Sequence, residues 1–124
     1  MPASYRIDTT LGLVQSVAAG RLTEEDLRLH QRGLASDPAF RPDLAQLWDA
    51  SAVERVELTN RCIRELASAN PFGRGARRAI AAPNDLAFGI ARMFEMLRAE
   101  TEDEVHVFRS MAEARAWLEL PPEE

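Results

Sequence analysis

The chain has 124 residues, 46% of them hydrophobic, with a formal charge of -5. That length suits one domain able to bury roughly two-thirds of its unfolded surface without a disulfide or a metal clip. The acidic balance argues against sequence-independent binding to nucleic acid or anionic lipid, and the single cysteine, Cys62, excludes an intramolecular disulfide.

A lone cysteine fits a reducing cytoplasm. The first residues, MPASYRIDTTLG, lack a basic segment followed by an apolar core, so no secretory signal is expected. No apolar run approaches the ~18 residues of a membrane span. Every basic side chain is arginine and alanine is abundant, which points to a GC-rich bacterial genome and says nothing of function.

In chain order, Ser4–Thr9 alternates with Tyr5 and Ile7 on one face, as an edge strand does. Leu11–Ala18 follows closely and predicts the second arm of an antiparallel hairpin, with Gly12 in the turn and Gly20 ending the strand. Thr23 caps a helix whose first turn carries Glu24, Glu25 and Asp26 and whose inner face is Leu27, His30 and Leu34. Ser36–Asp43 is a loop with two prolines. Leu44, Leu47 and Trp48 then make the apolar run of a buried parallel strand over Leu44–Asp49, with Asp49 and Ser51 ending it. After a bridge, Thr59 caps a helix with Cys62, Ile63 and Leu66 on its inner face. Asn70–Gly75 breaks the chain, and Arg77–Ala82 is the fourth strand. Asn84 or Asp85 caps the longest helix, to about Glu100, with an inner stripe of Leu86, Ile90, Phe94 and Leu97. Thr101–Glu104 is a turn and Val105–Phe108 the last strand. Ser110 opens a capping box with Glu113, and that helix buries Ala114, Trp117 and Leu118 before Pro121 and Pro122 stop it.

The order β-β-α-β-α-β-α-β-α predicts a single α/β domain over residues 1–120, with a mostly parallel five-stranded sheet, an N-terminal antiparallel hairpin and right-handed crossovers. Residues 121–124 are a short solvated tail. The Leu44–Asp49 strand belongs in the sheet interior, and the strand-to-helix connection after it collects Asp49, Ser51, Glu57 and Thr59 at the carboxyl end, where open sheets tend to form sites.

With those elements in place, the chain resembles the SpoIIAA-like, or STAS-like, family of anti-sigma-factor antagonists and their relatives. That family's central motif runs roughly D-L-S-x-V-x-F-I-D-S-S-G-L-G. Asp49, Ser51, Val53 and Val56 match it, and the segments Ala82-Pro83-Asn84-Asp85 and Val107 to Ala114 look like the family's later strand-to-helix turn and its closing strand and helix. The resemblance implies a non-enzymatic regulatory module that binds another protein, switched by phosphorylation of a hydroxyl that here falls on Thr59, after an acid that falls on Glu57. Leu58 and Asn60 stand where the family has serine and glycine. Lipid-carrying relatives of the CRAL-TRIO kind share the broad fold, which makes a small apolar ligand the alternative.

Each candidate has an ordinary explanation beside the functional one. Thr59 at a helix N-terminus suits a phosphate, and equally it suits a cap contributing about 1 kcal/mol. Asp49 and Ser51 are residues that shape turns. Asp49 and Glu57 have no third group to make them a catalytic pair. His30 and His106 each stand alone in an apolar pattern and read as partly buried, hydrogen-bonded histidines, and Cys62 as a small core residue. Phe72-Gly73-Arg74-Gly75 follows a helix and opens a strand, the reverse of a phosphate loop; Arg74, Arg77 and Arg78 read as a solvated cluster. With no nucleophile–base pair, metal cluster or cofactor fingerprint legible, no reaction, metal or cofactor is expected. Phe88, Met93 and Met96 fall outside the inner stripe of the long helix and form a candidate contact surface for a second copy or another protein.

Overall fold

In the computed structural model, residues 2–99, 101 and 103–121 are described. The elements are β1 (Ala3–Asp8), β2 (Leu13–Thr23), α1 (Glu24–Ala35), β3 (Ala45–Glu57), α2 (Asn60–Ser68), β4 (Arg77–Ala81), α3 (Asp85–Leu97), β5 (Glu104–Phe108) and α4 (Met111–Trp117). They form one sheet in the order β1-β2-β3-β4-β5. β1 is antiparallel to β2 and the remaining pairs are parallel. The expected element order and strand directions are therefore present, with β3 at the centre.

The strand order never reverses. Crossovers of one hand that always step in the same direction keep their helices on the same face, and α1, α2 and α3 share one. α4, which follows the last strand, covers the other with Ala114 against Leu13, Leu47, Ala79 and Ala81. Strand alternation sorts the side chains accordingly. Leu47 and Ala79 point towards α4, whereas Gln46, Trp48, Arg78 and Ile80 point towards the three helices.

Each helix starts where a side chain can accept from its orphan backbone N–H groups. Thr23, Thr59, Asn84 and Ser110 are the N-caps. Thr23 and Asp26 form a reciprocal capping box.

Several boundaries differ from expectation. β2 continues through Gly20 to Thr23, and β3 continues past Asp49 and Ser51 to Glu57. The cause is a pair of β-bulges. Between Val17↔Asp49 and Arg21↔Arg55, β2 advances four residues and β3 six. An extra residue leaves backbone groups unpaired, and Asp49 Oδ1 takes over by accepting from the Ser51 N–H at 3.0 Å. These turn-forming residues, which by type suggest a strand end, serve instead as a repair inside the strand. Gly20 adopts the left-handed φ of 65° at this irregular stretch, a conformation glycine reaches without strain. Leu44 is buried but precedes β3, and α3 ends at Leu97; Glu100 and Glu102, at the expected helix end and turn, lie outside the described residues.

The face that α3 buries differs as well. Its buried residues are Ala87 and Ala91, with Phe88 packed on the core, whereas Leu86 and Leu97 are 51% and 42% exposed. Apolar side chains occur around most of this helix, so periodicity does not select a face. The alanines do, because they let the helix axis approach the sheet closely.

The elements are pinned together by an ion cluster under the helices. Asp103, just before β5, accepts from Arg78 Nη1 of β4 at 3.1 Å, from Asn70 Nδ2 after α2 at 3.1 Å, and from Arg98 at the end of α3. Burial alone would raise its pKa, but the bonds from Arg98, Thr101 and Arg78 outweigh that and hold it below the ordinary carboxylate range. Asp103→Ala leaves two buried guanidinium groups without a carboxylate, and urea unfolding at pH 7 should show a loss of about 3–5 kcal/mol. Asp85→Ala, which breaks the exposed pair with Arg109, should cost less than about 1 kcal/mol.

Candidate functional site

A sheet whose strand order never reverses has no topological switch point, so its carboxyl end lacks the crevice that open sheets with a reversal provide. The residues expected there are accordingly dispersed. Asp49 and Ser51 repair the bulge in mid-β3. Glu57, at the end of β3, pairs with Arg21 on β2. Eight residues of strand put Asp49 and Glu57 on the order of 25 Å apart, far beyond any carboxylate pair that acts together. Thr59 caps α2, accepting from the Cys62 N–H at 3.1 Å. Its own N–H and hydroxyl donate to Glu24 Oε1 at 3.2 and 2.8 Å. These bonds hold the Glu24 carboxyl below its usual range, and that carboxylate already occupies the anion position at the helix N-terminus. A phosphate on Thr59 would meet it at close range. Cys62 is buried, and burial pushes its thiol pKa up, as suits an inert core thiol.

A cavity lies between the sheet and α1, α2 and α3. It is a partly open crevice of about 140 Å³. Leu22, Leu27, Trp48, Val56, Ile80 and Ile90 give it apolar walls, and His30, Gln46 and Arg78 give it a polar end. The register explains this gradient. Gln46 lies opposite Arg78 and Trp48 opposite Ile80, so side chains pass from polar to apolar along the strand direction towards Val53 and Val56.

The polar end is a directed chain of hydrogen bonds. A guanidinium only donates, so Arg78 Nε (2.9 Å) fixes Gln46 with its oxygen towards β4. The Gln46 amide nitrogen then donates to Ser16 Oγ at 3.1 Å. Ser16 Oγ lies 2.9 Å from His30 Nε2, leaving the serine proton free to point at the imidazole. His30 is stacked on Trp48 with ring centroids 4.5 Å apart and meets Tyr5 edge-on. Burial, with the Arg78 charge second, lowers its pKa from 6.5 to about 4. Arg78 is itself lowered to about 10 by burial and stays charged at neutral pH. Its guanidinium carbon lies over the Phe72 ring at 4.2 Å from the centroid and over the Phe94 ring at 5.2 Å.

Sequence reasoning missed this chain. A serine–histidine pair does exist, contrary to expectation, but Ser16 is 1% exposed, its Oγ is bonded on two sides and it is not among the crevice-lining residues. Arg78 is not solvated but buried, and Arg77 lies over the Trp117 ring. His106 is exposed, with its ring edge-on to Trp117. The signal available was one polar residue at an inward position of each central strand: Ser16 between Val14 and Ala18, Gln46 before Leu47, and Arg78 before Ala79.

The candidate contact strip is also rearranged. Phe88 packs inward with Arg109 over its ring at 4.0 Å, and Met93 is half-buried. Met96 is 67% exposed, and the other exposed large apolar side chains of α3 are Leu86 at its start and Leu97 at its end.

The His30 environment sets a pH dependence. Between pH 6.5 and about 4 the unfolded chain binds a proton that the folded chain refuses, so this group's contribution is lost as pH falls through that window. From pH 7 to 4.5 the wild type should lose roughly 2–3 kcal/mol more than His30→Gln, measured by urea unfolding. Equal losses would mean that His30 accepts its proton in the folded state.

No family model and no curated protein matches the sequence. Among solved structures, the chain is similar to an uncharacterized protein from the DUF3478 family with a SpoIIAA-like fold, from Shewanella loihica PV-4. The identity is 20%, the TM-score is 0.61, and the match covers 94% of this chain and 93% of that one. With a five-stranded mixed sheet, an antiparallel first pair and four helices matched over almost the whole length, this chain has the SpoIIAA-like fold.

Proposed function

We propose that the chain is a non-enzymatic binding protein that takes a small apolar molecule into the crevice between the sheet and α1–α3. The observation that carries the reading is the crevice itself. A volume of about 140 Å³ is close to that of engineered apolar cavities that hold benzene. Its mainly aliphatic walls and few polar groups at one end are the usual composition of a small-molecule site. Close packing normally fills a domain of this size, leaving few voids larger than a water molecule. The lone, buried Cys62 agrees with a cytoplasmic location. No described helix is long and apolar enough to cross a membrane.

Hexan-1-ol is a suitable probe. At about ten times its dissociation constant it should stabilise the fold by about 1.4 kcal/mol, a rise in Tm of roughly 3–6 °C. Ala91→Phe, which places a ring in the crevice, should abolish that rise in differential scanning calorimetry. No rise in the wild type would defeat the reading.

The second reading is a regulatory module that binds another protein or a second copy of itself. It rests on the exposed Leu86, Met96 and Leu97 of α3, because a helix of a small α/β domain ordinarily turns charge to water. Leu86→Ser combined with Met96→Ser should convert a dimer to a monomer in sedimentation velocity. A wild type that stays monomeric at high concentration would remove the self-association form.

A further inference from the structure

We infer that the crevice selects a small apolar carboxylate, of about benzoate to hexanoate size, with its carboxylate on Arg78 and its hydrocarbon lying towards Trp48 and Ile80. This deepens the ligand reading above and rests on it. Three observations on the protein point to an anion at that end.

The first is a charge imbalance. Arg78 and Arg98 have side chains 7% and 13% exposed, and between them they share Asp103, whose side chain is fully buried. Among the described residues, two buried guanidinium groups therefore face one carboxylate. An uncompensated buried cation is costly, and an anionic ligand would complete the balance.

The second is donor capacity. A guanidinium has five N–H groups. Arg78 uses Nε towards Gln46 and Nη1 towards Asp103, and no described residue accepts from Nη2. Arg78 lines the crevice, its guanidinium is held by Gln46, Asp103 and contacts with the Phe72 and Phe94 rings, and a held guanidinium fork suits a carboxylate.

The third is the polarity gradient. The polar groups lie at the amino-terminal end of β3 and β4, and the walls beyond Trp48 and Ile80 are apolar. That arrangement fits a molecule with one charged end. A compact inorganic anion would leave the apolar end empty, and an uncharged hydrocarbon would leave Nη2 without an acceptor.

The experiment compares hexanoate, hexan-1-ol and hexylamine on the wild-type chain at pH 7.5 and fixed salt. Calorimetric titration of the wild type is the first readout, and Trp48 emission in a Trp117→Phe form, which changes only the opposite face, is the second. Hexanoate should bind at least tenfold more tightly than hexanol, and hexylamine more weakly than either. In Arg78→Met, shown by circular dichroism to be folded, the preference for the carboxylate should disappear. Should that variant fail to fold, the wild-type comparison decides alone. Equal affinity for hexanoate and hexanol, or tighter binding of hexanol, would overturn the carboxylate inference and leave the apolar crevice standing. No binding of any of the three would overturn both.

Discussion

A guanidinium buried beneath three helices must be held by something, and the way Arg78 is held organises the rest of the molecule. Asp103 answers it from the start of β5 and in the same position gathers Arg98 from the end of α3 and Asn70 from the loop after α2. One carboxylate thus joins four consecutive parts of the chain. On the other side Arg78 fixes the orientation of Gln46, Gln46 fixes the role of Ser16, and Ser16 meets His30. Interactions of this kind give little net stability compared with a well-packed apolar core, but the loss of one partner is severe. They also leave few alternative ways to dock α1 and α3 on the sheet.

The same network defines the crevice. Large side chains on the helices would normally fill the space over β3 and β4, yet the buried residues of α3 are the small Ala87 and Ala91, with Ile90 and Phe94 at the crevice wall. The polar end cannot collapse either, because closing it over Arg78 would bury an unsatisfied donor. An open polar end and small helix residues leave the gap that Trp48, Ile80 and Ile90 line.

Much of the architecture was legible in the sequence because it is locally encoded. Thr23, Thr59, Asn84 and Ser110 were readable as caps, since capping joins residues two or three apart. The central place of β3 followed from Leu47 and Trp48. What could not be read depended on partners distant in sequence. Asp49 and Ser51 carry a turn signature, and only pairing with β2 shows that they mend a bulge within a longer strand. The apolar circumference of α3 allowed several faces, and the choice fell to alanines rather than to the larger residues. Ser16, His30, Gln46 and Arg78 come from four elements and looked unrelated. Thr59 looked free to carry a phosphate because Glu24, its hydrogen-bond partner, lies 35 residues away.

The unreversed strand order has a consequence for how the chain assembles. Neighbours in the sheet are neighbours in the chain, so no strand has to be inserted between two that are already paired. Each βα unit can add to a free edge as it leaves the ribosome, with short loop closures at every step. Arg78, however, enters with β4, and Asp103 arrives only ahead of β5. Until then the cation has no buried counter-charge and the edge of β4 is unpaired. The final strand is therefore a closing step as well as an addition: a growing sheet without it cannot desolvate its own centre, and the intermediate remains open until the last quarter of the sequence is present.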